Sequence, residues 1–153
     1  MKTTLARKGA GAIAMFVLIL MAQINAAQSQ SAQLPNPILI FVGQEVITTG
    51  GKEMVRYQFD VFNKDAYPAS LFAPAPKLPP CGTNTSASRT WVDIYDQNGK
   101  RLNGFCALGK PSDLNGIWFA LAPDVIPPSW VYIELNDRQT NTKYKSNLAD
   151  TVL

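Results

Sequence analysis

Apolar and polar residues alternate along much of this chain, and the alternation predicts strands rather than helices. Over residues 53–62, Val55, Tyr57, Phe59 and Val61 fall on one parity and Arg56, Gln58 and Asp60 on the other. A period of two is what a half-buried strand requires. Residues 130–136 repeat it, with Val131, Ile133 and Leu135 on one face and Trp130, Tyr132 and Glu134 on the opposite one. Residues 37–47 predict a first strand broken near Gly43, residues 89–96 and 117–121 two more, and residues 143–147 a last one. Turn residues separate these runs at Thr49-Gly50-Gly51-Lys52, Asn98-Gly99 and 137–141. Asn98-Gly99 reads as a two-residue hairpin loop. Its register pairs Tyr95 with Leu102, Asp93 with Gly104 and Trp91 with Cys106. About seven short strands and no long helix predict a single all-β domain over residues 37–153, a β-sandwich.

Two stretches break the pattern. Pro68, Pro74, Pro76, Pro79 and Pro80 fall within residues 68–80, and each lacks the amide donor that a strand ladder needs. An ordered crossover loop or a partly polyproline segment is expected there, with Leu71, Phe72 and Leu78 packed against the body. At the start, Lys2, Arg7 and Lys8 precede an uncharged apolar run over 10–22, followed by Ala26 and Ala27. This is the pattern of a secretory signal peptide over residues 1–27, with a run shorter than the ~20 residues that span a membrane. Residues 28–36 are then a disordered lead-in.

Export changes the charge balance. The chain holds 14 basic and 11 acidic residues. Lys2, Arg7 and Lys8 leave with the leader, so 11 of each sign remain. Clustered positive charge is what holds a nucleic acid, and the processed chain has none. Cys81 and Cys106 are its two cysteines, and in an oxidising compartment an even pair reads as one disulfide. Closing such a loop stabilises by about 3.5 kcal/mol in the chain-entropy model. The product is expected to be secreted or periplasmic, with no stable membrane insertion once the leader is removed.

The strand count, the mid-strand Trp91 and the long proline-containing loop before Trp130-Val131-Tyr132-Ile133 resemble immunoglobulin and fibronectin type III domains. That resemblance implies a two-sheet sandwich. Phe72-Ala73-Pro74, Leu78-Pro79-Pro80-Cys81-Gly82, the run from Asn84-Thr85-Ser86 to Asp93-Ile94-Tyr95, and Gly104-Phe105-Cys106-Ala107-Leu108 resemble a set of small secreted bacterial proteins without an assigned activity. It implies no function.

The chain has no histidine, which removes the commonest general base and metal ligand. With both cysteines bridged, no thiolate is left for catalysis. Asp93 and Asp96 lie at odd spacing on one strand and point to opposite faces, so they do not form a carboxylate pair. Asp96-Gln97-Asn98-Gly99 matches a fragment of a calcium loop, but Lys100 and Arg101 follow, and a hairpin turn explains it better. Asn84-Thr85-Ser86 fits the N-glycosylation triplet, and reads equally as a turn beside the disulfide. Trp91 and Trp118 are expected in the core. Trp130 and Tyr132, on the face opposite the aliphatic one, are candidate ligand-binding residues, as are Pro79 and Pro80 on the stiffened loop. No catalytic residue, cofactor or metal is expected. The chain therefore reads as an exported, non-catalytic interaction module whose partner is a protein or a glycan. The rivals are a small carbohydrate-binding protein using surface aromatics and a proteinaceous inhibitor using residues 71–82.

Overall fold

The computed structural model describes residues 33–81 and 87–152. The leader expected at 1–27 and the triplet Asn84-Thr85-Ser86 lie outside the described residues. Among the described residues eight strands run in the order β1 (Leu39–Thr49), β2 (Lys52–Val61), β3 (Thr90–Asp96), β4 (Arg101–Phe105), β5 (Ile117–Leu121), β6 (Trp130–Asp137), β7 (Thr142–Lys145) and β8 (Ala149–Asp150). They form two sheets in which each pairing is antiparallel. The first has the order β1-β2-β5. The second has the order β4-β3-β6-β7, with β8 also paired to β6.

One apolar core takes residues from both sheets. Phe59, Val61, Ile117 and Phe119 come from the first, and Val92, Ile94, Val131, Ile133 and Leu135 from the second. The parity read in the sequence is the parity seen: Val131, Ile133 and Leu135 have no exposed surface. On the first sheet Tyr57 stacks on Phe119 with ring centroids 5.0 Å apart, and Phe59 lies 5.9 Å from the same ring. Burying each such side chain is worth about 1.5–3 kcal/mol.

The β1–β2 hairpin turns on Gly50 and Gly51, both at positive φ (58° and 76°). A two-residue loop of that type suits glycine because both central residues sit in the left-handed region. The break expected near Gly43 is a bulge: Phe41 pairs Phe59 and Gly43 pairs Gln58, leaving Val42 without a partner. The β3–β4 hairpin departs from its expected register at one point. Asp93 faces Gly104, but Tyr95 faces Arg101 rather than Leu102. The Asp96 N–H donates to the Lys100 carbonyl, which makes the loop three residues long, 97–99, with Gly99 at φ 84°. Such loops carry a bulge. The left-handed Gly99 is the residue of the loop's own bulge; Leu102, left unpaired further along β4, is a second one, and it restores the expected register from Ile94 onward.

The proline-rich segment is ordered as a wall of the body. Leu71 and Phe72, in a 3-10 turn at Ala69–Phe72, are buried in the core. The Arg89 N–H then donates to the Ala73 carbonyl and the Ala75 N–H to that of Ala87, which bridges Pro74 to Ser88. Cys81 and Cys106 form the expected disulfide, with Cα atoms 6.1 Å apart, and it ties the end of this segment to the residue after β4. Within the expected lead-in, Leu34 packs on the core and the Pro35 carbonyl accepts from the Tyr67 hydroxyl (2.8 Å). Burial pushes that phenol pKa up.

Neither Trp91 nor Trp118 fills the core, contrary to expectation. Val92 and Ile94 take the inward parity of β3, which turns Trp91 outward. Ile117 and Phe119 do the same to Trp118 on β5. Trp118 is half-buried, edge-on to Phe105 at 6.1 Å.

Candidate functional site

The outward face of the second sheet carries most of the polar and aromatic residues that the sequence puts forward. Cross-strand pairing sets Tyr95 beside Tyr132, Asp93 beside Glu134 and Trp91 beside Asn136. Directly opposed side chains on one face are close enough to interact. The two tyrosine rings stack at 5.3 Å, and Lys145 Nζ lies 3.9 Å from the centre of the Tyr132 ring. Burial and then the nearby carboxylates of Asp93 and Glu134 raise the Tyr95 phenol pKa. The Arg138 guanidinium lies 3.5 Å over Trp91, and its Nη2 also donates to the Pro79 carbonyl (3.0 Å).

The carboxylates here are engaged as well. Asp93 accepts from Arg101 Nε (2.7 Å) and Asn136 Nδ2 (3.2 Å). Lys143 Nζ donates to Glu134 (3.0 Å), which raises the lysine pKa. Gly104 makes room for the first pair: a Cβ there would stand 2.0 Å from Arg101 Nη2 and 2.6 Å from Asp93 Oδ1. At the end of β6, Asp137 is paired with Arg89 through both carboxylate oxygens and takes further bonds from Thr140 Oγ1 (2.7 Å) and the Gln139 N–H (3.1 Å). Burial alone would raise the Asp137 pKa, but these hydrogen bonds outweigh it and hold it at about 2.

The four candidate binding residues do not come together. Pro79 and Pro80 are exposed near Arg138, just past the C-terminal end of β6, whereas Trp130 opens that strand. Eight residues of strand separate the two places by about 25 Å. Tyr132 is buried beneath its neighbours, while Trp130 is 48% exposed. Asp96 serves the hairpin turn, its Oδ1 accepting from the N–H groups of Asn98 (2.9 Å) and Lys100 (2.8 Å). Among the described residues no group of three or more His, Cys, Asp or Glu side chains is placed to hold a metal. No helix among them is long and apolar enough to cross a membrane.

Sequence reasoning passed over the β5–β6 loop. Ile126 is 90% exposed there, with Val125 and Trp130 about half exposed. Val125 and Ile126 border a shallow groove of about 260 Å³ between this loop and the β3–β4 turn, whose walls mix Leu102, Leu121 and Pro127 with Asp96, Gln97 and Lys100. The Gln97 side-chain and backbone groups both bond to the Trp130 backbone, fixing the turn against the strand. A signal was present in the sequence: an apolar Val125-Ile126 pair directly before Pro127-Pro128 has no strand to pack into. A second groove, of about 330 Å³, runs beside the proline-rich wall between Pro74, Leu78, Arg89 and Gln139.

Comparison of this chain with protein-family models, with curated proteins and with solved structures finds no match.

Proposed function

We propose that this chain is an exported, non-catalytic interaction module with an immunoglobulin- or fibronectin III-like sandwich fold. Support for the fold type is the strand order: β1-β2-β5 in one sheet and β4-β3-β6-β7 in the other. The leader pattern and the disulfide support an oxidising, extracytoplasmic location. The observation that carries the binding reading is the exposed apolar pair Val125 and Ile126 on the β5–β6 loop, with the half-exposed Trp130 four residues on at the start of β6. Large exposed apolar residues grouped at one place on a surface mark contact sites, and a tryptophan among them is a common anchor.

The two rivals fare less well on specific observations. The sugar reading needs open faces on both Trp130 and Tyr132, and of these Trp130 is half exposed while Tyr132 is buried under Lys145. An inhibitory loop needs residues 71–82 to project, but Leu71 and Phe72 are buried in the core and Pro74 is bridged to Ser88, which leaves Pro76, Lys77, Pro79 and Pro80 as its exposed part. Against catalysis stands the engagement of the outward carboxylates Asp93 and Glu134, and of the buried Asp137, in ion pairs.

The test has two arms. N-terminal sequencing of the native product should begin at residue 27 or 28. The tagged processed chain, used on secreted and envelope fractions, should recover a protein that Trp130→Ala with Ile126→Asp no longer retains at unchanged melting temperature. Binding to a glycan array, or loss of capture only on changing residues 76–80, would replace this reading with the corresponding rival.

A further inference from the structure

Among the described residues the first sheet ends on β1, an eleven-residue strand that is paired with β2 and has β8 near it. In an antiparallel pair, alternate residues turn their N–H and C=O groups away from the partner. The Phe62 N–H donates to the Ile38 carbonyl, so Leu39 and Phe41 face the free edge. Beyond the bulge the parity shifts, and counting from the two-residue turn puts Gln44, Val46 and Thr48 on that edge. Leu39 is closed off: Asn147 Oδ1 accepts from its N–H (2.8 Å) and Asn147 Nδ2 donates to its carbonyl (3.0 Å). Among the described residues no such bonds engage the outward backbone groups of Phe41, Gln44, Val46 or Thr48.

Proteins usually blunt a long edge strand with lysine, proline or an inward charge. Here the only charge on β1 is Glu45, and it is taken by Arg56. Val46 is 67% exposed and Val42 50%. Alongside the edge runs a groove of about 380 Å³, walled by Phe41 and Gln44 on one side and by Pro127, Thr151 and Val152 on the other.

From these features we infer that residues 41–48 of β1 form a strand-addition site for an extended, uncharged segment of a partner protein. The free N–H and C=O groups supply the ladder and the groove receives an alternate apolar side chain. The neutral edge and the apolar walls of Phe41, Pro127 and Val152 set the chemistry: a charged side chain there would be desolvated without a counter-ion. A second copy of this chain fits less well. Pairing two β1 strands about Glu45 sets like carboxylates together, and pairing them about Val46 leaves the groove unfilled. The inference rests on the module reading only in that both need a partner, because its readout is β1 backbone protection and not capture by Trp130.

The probe is a synthetic peptide of alternating valine and threonine with lysine pairs at its ends, titrated into the isotope-labelled processed chain. Amide shifts are expected over residues 41–48 and at Thr151 and Val152, with exchange at Phe41, Gln44, Val46 and Thr48 slowed at least tenfold. Val46→Pro, which removes one edge donor, should weaken binding at least tenfold. Val46→Lys should do the same if the proline variant does not fold. Unchanged exchange at these four amides, or shifts confined to other surfaces, would overturn the inference. So would their protection without peptide in a chain that sediments as a dimer, since a second copy would then occupy the edge.

Discussion

On the outer face of the second sheet, Trp91, Tyr95, Tyr132, Asp93 and Glu134 are each covered or paired by another side chain of the same molecule. Along β1, on the β5–β6 loop and at the start of β6, by contrast, Val46, Ile126 and Trp130 face solvent. The first surface has more of the residue types associated with binding, and less left to bind with. Cations over ring faces and ion pairs across strands turn an aromatic, charged sheet face into a finished exterior. What marks a contact surface is the capacity that the fold leaves unused, and that is apolar and backbone in kind.

The largest test of this contrast asks whether both surfaces depend on one framework. Replacing Cys81 and Cys106 with serine should lower stability by about 3.5 kcal/mol in a denaturant titration. The Tyr95–Tyr132 near-ultraviolet signal and the β1 edge should survive below the new midpoint, because the bond anchors the proline-rich wall and neither surface.

Asp137→Asn comes next, with an expected loss of about 2–3 kcal/mol, since Arg89 loses its charge partner in a nearly closed site. Asp137 is 3% exposed and its carboxyl is held at about 2 against an ordinary 3.8. A depressed folded-state pKa contributes stability that is complete above about pH 4 and lost as pH falls toward 2, roughly 2 kcal/mol in all. Urea midpoints measured across that window should fall for the native chain and stay flatter for the variant.

Gly104→Val sharpens the contrast at the finished face. The added side chain must displace the Arg101 guanidinium, at about 1 kcal/mol. Chemical shifts should show Asp93 released from Arg101 with the core unchanged. Val46→Lys, at the unfinished edge, should move stability by less than about 0.5 kcal/mol. A larger destabilisation would mean that Val46 packs against the chain itself and that the edge is not free.

Much of the fold could be read in the sequence, because alternation reports which face of a strand is buried. That parity located the Val55 to Val61 and Val131 to Leu135 faces, and proline exclusion located the wall at 68–80. The two tryptophans were misassigned by size. A large ring suggests burial, but parity on β3 and β5 was already taken by Val92, Ile94, Ile117 and Phe119. The partners of the outer face were not legible either. Arg138 reaches Trp91 and Asn147 reaches Leu39 over 47 and 108 positions, and only the strand order brings them together. The loop length at Asn98-Gly99 shows a different limit: an extra loop residue and a bulge offset each other, so local turn chemistry predicted the distal pairing but not the neighbouring one.

The unpaired Val42 divides β1 into two short stretches, each with its own facing. Because it is one inserted residue, deleting it would leave Leu39 and Phe41 before it, and Gln44 and Val46 after it, directed as they are now. The result would be a straight, uninterrupted template with little charge to deter stacking, the profile of a segment that seeds fibrils. A single kinked valine beside Gly43 thus works as the strand's guard against growing without limit, and lets one guest in where many would otherwise follow.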